Sequence, residues 1–281
     1  MPDRRGRPMW LRLSSRAIIR SHEKELEEAL ACGDISEALR VLEILASRYC
    51  WHKPVEKLLF YRVNRPKNSA DTIDIFKAIL VGSSFRRHHR VYALVSLAYL
   101  AVKNHDVALA RECQMLLCRS VSLLESDPRS FSCRSRNREN RLKQLVSTKT
   151  ALLHLALLLG ERESLSDIGL WAHNLLLFLD FDRINADAAL RMMSNFSRCL
   201  ALYALTDIQS TLLDLHQLMI EARRSRHLKS RAQEDHLGFI QQIARDIETG
   251  TVPRILTIDS PGLSLRLNDF WLDFRSGVIA N

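Results

Sequence analysis

The chain contains few of the residues that interrupt helices. Its 281 residues include nine glycines and seven prolines, and most of these lie between stretches whose apolar residues recur at helical spacing. Hydrophobic residues make up 47% of the sequence, which is enough to bury a sizeable core and is unlike a disordered protein. The composition therefore predicts an all-α protein.

Long hydrophobic runs are also missing. The longest lie at residues 151–160 and 175–179, and both fall short of the roughly 18 apolar residues that suggest a membrane span. We interpret them as buried core helices. The six cysteines do not have the spacing of a disulfide framework, and no signal-peptide-like apolar segment opens the chain. A reducing cytoplasmic location is the simplest expectation.

Catalytic and metal-binding motifs are absent as well. The glycines form neither a dinucleotide-binding nor a P-loop pattern, and no G-x-S-x-G elbow occurs. His22 opens a sequence like that of a zinc-protease helix, but Leu26 occupies the place of the second histidine. Cys113 and Cys118 are five residues apart, which puts them on different faces of a helix. We expect no catalytic residues, metal or cofactor, although an enzyme or maturation factor on a helical scaffold stays possible.

Two histidines, His154 and His173, lie inside strongly apolar helical segments. No nucleophile occurs at a fixed spacing from either residue. We therefore expect them to be core or interface histidines rather than acid-base catalysts.

A recurring helix hairpin is the strongest positive feature. In its clearest copy, residues 22–50, Leu26, Ala29 and Leu30 share one helix face, and Gly33 and Asp34 interrupt the helix. The second helix continues with an apolar stripe that consists of Ala38, Leu39, Leu42, Leu45 and Ala46.

About five such hairpins are expected between residues 21 and 249. The second begins near Pro54 and ends at Gly82, and the third covers residues 90–124. In the third copy Asp106 and Ala110 repeat the spacing of Asp34 and Ala38. The fourth pairs residues 145–159 with 165–179, the fifth pairs 186–205 with 208–222, and a last helix covers about 231–248.

Three segments fall outside this pattern. Residues 1–20 form a basic arm with six arginines, interpreted as a solvated tail or capping helix, an arm for an anionic partner, or a transit peptide or membrane-surface helix. Residues 126–143 are highly charged and are predicted to be an exposed loop. Residues 250–281 are predicted to form an extended or β-hairpin cap over the last helices.

The hairpins resemble tetratricopeptide-type repeats. The residues that carry the resemblance are Leu26, Ala29, Gly33 and Ala38 in the first copy and Ala98, Ala101 and Ala110 in the third. This resemblance implies an α-solenoid, a superhelix whose surface binds a peptide or protein partner.

Charge is distributed unevenly in this chain of net charge +9. Residues 83–149 carry thirteen basic against five acidic side chains, whereas residues 150–222 carry four against nine. Three arginine clusters fall where one hairpin is expected to connect to the next, and such connections line one edge of a solenoid. The clusters predict an anion-binding edge that consists of Arg86, Arg87 and Arg90, then Arg134, Arg136, Arg138 and Arg141, then Arg223, Arg224 and Arg226.

These features predict a non-enzymatic adaptor, chaperone or regulator that binds a protein or peptide, possibly an acidic one. The alternative is a nucleic-acid-binding regulator that uses the basic edge. Solvated loops explain the same clusters without any function. The aromatic residues that would stack on bases are not interleaved with the clusters, which weighs against nucleic acid.

Overall fold

A computed structural model gives the fold and describes residues 9–49, 69–126, 136–176, 186–204, 207–224 and 230–251. These residues form ten α-helices and one π-helical turn, and no strand occurs among them. The predicted all-α class is therefore confirmed for this part of the chain. The chain divides into two compact units, Met1–Leu100 and Ala101–Asn281.

The first unit holds three helices and most of a fourth. They are α1 (Met9–Cys32), α2 (Ile35–Ile44), α3 (Ser69–Val81) and α4 (Arg87–Lys103), and the π-helical turn Leu45–Tyr49 extends α2.

The α1–α2 turn depends on a glycine followed by an aspartate. Gly33 has a φ of 77°, a backbone conformation that glycine adopts without steric cost. The backbone N–H of Asp34 donates to the carbonyl of Ala29 at 2.9 Å, and its carboxylate accepts from the N–H of Glu37 at 3.0 Å. One residue thus ends the first helix and caps the second, which makes the hairpin tight.

The buried faces of this hairpin largely match the prediction. The buried residues are Leu26, Ala29, Leu30, Ala38, Val41, Leu42, Leu45 and Ala46. Leu39 is only half-buried, so the stripe on α2 includes Val41 in its place.

The second unit holds six further helices. They are α5 (Val107–Glu125), α6 (Arg136–Leu159), α7 (Arg162–Leu176), α8 (Ala186–Tyr203), α9 (Ile208–Arg224) and α10 (Ser230–Glu248).

Helices α6 and α8 form the centre of this unit. Every residue from 151 to 158 is buried, as expected for a helix that is apolar on all sides. Helix α6 contacts α5, α7 and α8, while α8 also contacts α7, α9 and α10. The apolar run at 151–160 is therefore a core helix, as its length predicted.

The glycine-aspartate turn of α1–α2 recurs between α4 and α5 and between α6 and α7. The N–H of Asp106 donates to Ala101 and the N–H of Glu161 donates to Ala156, each at 2.9 Å. His105 and Gly160 take the place of Gly33, with φ values of 54° and 73°. Three turns of the chain therefore share one hydrogen-bonding pattern.

Two predicted boundaries are wrong. Helix α1 runs without a break from Met9 to Cys32, so residue 20 does not separate an arm from the first hairpin. Helix α6 begins at Arg136, so residues 136–143 are helical rather than part of an exposed loop. Arginine, lysine and glutamate favour helices as strongly as most apolar residues do, and high charge alone does not indicate a loop.

Other predictions fall outside the described residues. These are the first helix of the second hairpin, the remaining loop residues 127–135, residues 177–179 of the fourth hairpin, and the C-terminal cap beyond residue 251.

Candidate functional site

The first predicted arginine cluster lies where α4 begins. Arg86 and Arg87 are exposed, and Arg87 occupies the first turn, where the helix dipole disfavours a positive charge. Arg90 differs from them because its guanidinium donates to the carbonyl of Gly82 at 3.0 Å. Arg90 therefore satisfies a backbone carbonyl at the end of α3. The charges of Arg86 and Arg87 are exposed to solvent.

The same cluster contains a buried histidine with a structural role. The Nδ1 atom of His89 accepts a hydrogen bond from the backbone N–H of Arg86 at 3.2 Å, so the neutral ring caps the start of α4. Burial, together with the charges of His88 and Arg86, lowers the pKa of His89 to about 4. Burial also lowers the pKa of His88. This segment consequently resists protonation at neutral pH.

The second cluster does not lie in a connection between hairpins. Arg136, Arg138 and Arg141 belong to the first two turns of α6, and Arg141 is half-buried. The prediction that these residues occupy a loop is wrong, because arginine favours a helix about as strongly as most apolar residues do. Arg134 lies outside the described residues.

The third cluster lies at the end of α9. Arg223 and Arg224 are exposed in its last turn, where the helix dipole favours positive charge. Arg224 also lies 3.8 Å from Glu221, while Arg226 is outside the described residues. A single basic edge across all three clusters stays a prediction.

A histidine-aspartate pair joins α7 to α9. The Nδ1 atom of His173 lies 2.6 Å from the Oδ2 atom of Asp214, and the two side chains are 21% and 9% exposed. The imidazole also stacks on the ring of Tyr203 in α8, with centroids 4.5 Å apart and planes at 16°. Three helices therefore hold this histidine in one orientation.

The carboxylates near His173 have different environments. Burial raises the pKa of Asp214, and the hydrogen bond and charge of His173 oppose that rise. Asp207, at the start of α9, accepts from the hydroxyl and the N–H of Ser210, and these hydrogen bonds lower its pKa. His173 thus favours the ionised form of Asp214, which burial disfavours.

The pair has the geometry that orients an imidazole, with a carboxylate accepting at Nδ1. Such a pair assists acid-base chemistry only when a reacting group lies beside it. No group of three or more histidine, cysteine, aspartate or glutamate side chains suited to a metal ion occurs in the described part of the chain. The geometry therefore supports an interhelical link between α7 and α9, in agreement with the expected interface role of His173.

A second link joins α5, α6 and α7. Lys149 lies 3.3 Å from Glu125, and its ammonium lies 5.1 Å from the ring centroid of Trp171. Trp171 in turn stacks on Phe196 of α8 at 5.9 Å. The lysine charge is thus balanced by one carboxylate and one aromatic face.

The outward surface of α5 combines apolar and basic side chains. Arg111, Met115 and Arg119 follow one another at intervals of four residues and are all exposed. Met115 is 67% exposed. We call these three residues the α5 outer face. Helical spacing alone does not reveal such a surface, because a solvated methionine and a core methionine look the same in sequence.

No sequence pattern singles out Asp214 or Lys149. Asp214 had a detectable signal, since it occupies the buried stripe of α9 beside Leu215 and Leu218. A carboxylate in an apolar stripe needs a partner, but the partner lies 41 residues away and no local spacing identifies it.

Comparisons with protein-family models, with characterised proteins and with solved structures find no match for this chain. None of the helices in the described ranges is both long and apolar enough to cross a membrane.

Proposed function

We propose that this protein is a helical-repeat scaffold that binds another polypeptide and acts as an adaptor, chaperone or regulator. The observation that carries the proposal is the order of helix contacts in the second unit. Helix α6 contacts α8, α8 contacts α10, and α7 contacts α9. Successive hairpins that contact mainly their sequence neighbours are typical of an α-solenoid.

The recurring turn supports the same proposal. At each turn, the backbone N–H of one acidic residue donates to the preceding helix, and the carbonyl of the same residue accepts from the following helix. These residues are Asp34, Asp106 and Glu161. This recurrence supports a repeated hairpin of the kind that the tetratricopeptide-like pattern implies. A repeat array of this kind presents an extended surface to a partner rather than an enclosed catalytic pocket.

The α5 outer face is the surface that we propose for the partner. An exposed methionine adapts its shape to different apolar side chains, and the flanking arginines form paired hydrogen bonds with carboxylates. This combination suits a partner segment with apolar and acidic residues.

Cross-linked capture from native lysate tests this proposal. Met115→Asp is compared with the wild type and with Ser36→Asp, which adds the same charge at an exposed position of α2. We expect Met115→Asp to lose the captured polypeptide, Ser36→Asp to keep it, and nuclease treatment to change nothing. Equal capture by both variants would exclude the α5 outer face.

Nucleic-acid binding is the second candidate, favoured by Arg86 and Arg87. Both side chains are exposed where α4 begins, and Arg87 lies where the helix dipole makes a cation unfavourable, so local stability does not explain their presence. The test is binding of single-stranded RNA across a salt series. A steep loss of affinity with salt that Arg86→Gln with Arg87→Gln reduces would favour this candidate, and absence of binding at low salt would remove it.

A cytoplasmic location belongs to the same proposal. The described cysteines Cys32, Cys113, Cys118 and Cys199 are free thiols, which is the usual state in a reducing compartment.

A further inference from the structure

Helices α5 and α7 each carry an exposed leucine one turn away from an exposed charge, and the sign of the charge differs between the two helices. On α5, Arg119 is exposed and Leu123 is 54% exposed. On α7, Asp167 is exposed and Leu170 is 47% exposed. Residues three or four apart lie on the same side of a helix. Each helix therefore presents one leucine and one charge together to solvent.

Two sets of contacts show how α5 and α7 are aligned. The amide of Gln114 donates to the carboxylate of Glu161, which directly precedes α7 and lies 47 residues further along the chain. Near the end of α5, Glu125 lies 3.3 Å from Lys149 of α6, and the same ammonium lies 5.1 Å from the ring centroid of Trp171 on α7. Both contacts follow the same order along the chain, so α5 and α7 run in the same direction. Their level residues are offset by 47 positions at the first contact and by one fewer at the second.

This offset sets the exposed leucines at one height along the two helices. Leu123 and Leu170 differ by the same 47 positions that separate the hydrogen-bonded pair, and Arg119 is level with the residue before Asp167. The exposed carboxylate of Glu112 on α5 is level with the end of α6, before α7 begins. One pair of leucines and one pair of opposite charges therefore lie at matching heights on α5 and α7.

We propose that this surface binds the same surface of a second copy of the chain, around a twofold axis parallel to α5 and α7. Rotation about such an axis keeps each residue at its height and places α5 of one copy on α7 of the other. Arg119 then faces Asp167 of the second copy, and Leu123 faces Leu170 of the second copy. Both contacts form twice, because a twofold interface is reciprocal. The opposite charges of the two helices are the reason that a second copy fits this surface.

The contact should be weak and reversible. Exposed ion pairs add little affinity, whereas like charges brought together oppose association. The leucines supply the apolar surface that association removes from water. We therefore expect a dimer in equilibrium with the monomer, and we expect salt to weaken it because Arg119 and Asp167 are exposed to solvent.

Sedimentation velocity of the intact, purified chain tests the proposal over a micromolar to sub-millimolar concentration series. The wild type should shift from monomer to dimer, whereas Leu123→Asp, which puts a carboxylate into the leucine contact, should remain monomeric. Leu213→Asp is the matched control and should dimerise, since Leu213 on α9 is 70% exposed and lies outside the proposed contact. A wild type that stays monomeric throughout would overturn the proposal and leave both helix faces to a different partner. Equal dimerisation of Leu123→Asp and Leu213→Asp would also overturn it.

An exchange of charges tests which helices meet. Arg119→Asp brings two carboxylates together at each contact, and Asp167→Arg brings two guanidinium groups together, so each variant alone should be monomeric. A mixture of the two variants restores an opposite pair at both contacts of the mixed dimer and should dimerise. A mixture that stays monomeric would exclude the pairing of α5 with α7. Circular dichroism of each variant should show unchanged helix content, because the substituted side chains are exposed.

This inference does not rest on the scaffold function, although Arg119 also belongs to the α5 outer face. A dimer would cover Arg119, so a second copy and a partner polypeptide would compete for it. Sedimentation of the purified chain needs no partner. Its failure would remove the dimer and leave the capture experiment with Met115→Asp to decide the scaffold function.

Discussion

A Cβ atom placed on Gly169 would lie 2.7 Å from the backbone nitrogen of Tyr203. Helices α7 and α8 therefore meet at their backbones at this point. The same contact positions Tyr203 to stack on His173, which follows Gly169 by one helical turn. The lack of a side chain at Gly169 thus permits both the close approach of α7 to α8 and the stacking of Tyr203 on His173.

Gly169→Ala should destabilise the protein, because the added methyl group meets backbone that cannot rotate away. Overpacking of this kind costs about 1 to 3 kcal/mol, offset in part by the better helix propensity of alanine. Urea unfolding measures the change. Gly238→Ala is the matched control, since nothing lies within 4 Å of its Cβ position in α10, and it should stabilise by about 0.5 to 1 kcal/mol. Stabilisation by both substitutions would contradict the close contact.

At the recurring turn, two substitutions should change the stability of the protein in opposite directions. His105 has a φ of 54° and Gly160 a φ of 73° at equivalent positions. A side chain in this region costs about 1 kcal/mol, so His105→Gly should stabilise and Gly160→Ala should destabilise by roughly that amount. No atom lies within 4 Å of the Gly160 Cβ position, which isolates the backbone effect. Thermal unfolding of both variants supplies the comparison, and a destabilised His105→Gly would mean that the imidazole contributes more than its backbone strain.

The sequence predicts most of the described helices but not their mutual contacts. Helices end next to Gly33, Gly82 and Gly160, as the sequence predicts. The effect of a glycine on a helix depends only on the local sequence. The start of α6 was misjudged for the opposite reason, since charged residues form helices as readily as loops. Composition alone does not distinguish a charged helix from a charged loop.

The interhelical links required the fold itself. His173 and Asp214 are far apart in sequence, and Lys149 meets Glu125 and Trp171 only because α6 packs against α5 and α7. Periodicity reports which face of a helix is buried, but it does not report which residue of another helix meets that face. The buried position of Asp214 was the one local sign of a partner.

Stability should decrease when the pH falls from 7 to 5. The pKa of His89 is about 4 in the folded state and near 6.5 in an unfolded chain, so the unfolded state binds the proton first as pH falls through 6.5. The contribution of His89 is therefore fully present above pH 6.5 and is lost towards pH 4, with a loss of about 1 to 2 kcal/mol at pH 5. Buried His154, whose pKa falls to about 3, acts in the same direction.

His89→Asn isolates the first of these contributions. The amide oxygen of asparagine can accept from the N–H of Arg86 as Nδ1 does, but it does not titrate. Unfolding free energies at pH 7 and pH 5 should differ less in this variant than in the wild type. An unchanged difference would assign the pH dependence to groups other than His89.

The pair of His173 and Asp214 should be energetically coupled. Removing His173 leaves a carboxylate in the buried stripe of α9 without its partner, and such a loss is more costly than replacement of both side chains by apolar ones. We expect His173→Phe to destabilise strongly, His173→Phe with Asp214→Leu to recover part of the loss, and the cycle to give a coupling of about 1 kcal/mol or more. Lys24 and Glu28, 3.4 Å apart but 78% and 64% exposed, provide the control cycle and should show no measurable coupling. Equal coupling in both cycles would mean that burial adds nothing to the pair. A double variant less stable than His173→Phe alone would show that Asp214 has a second stabilising contact on α9.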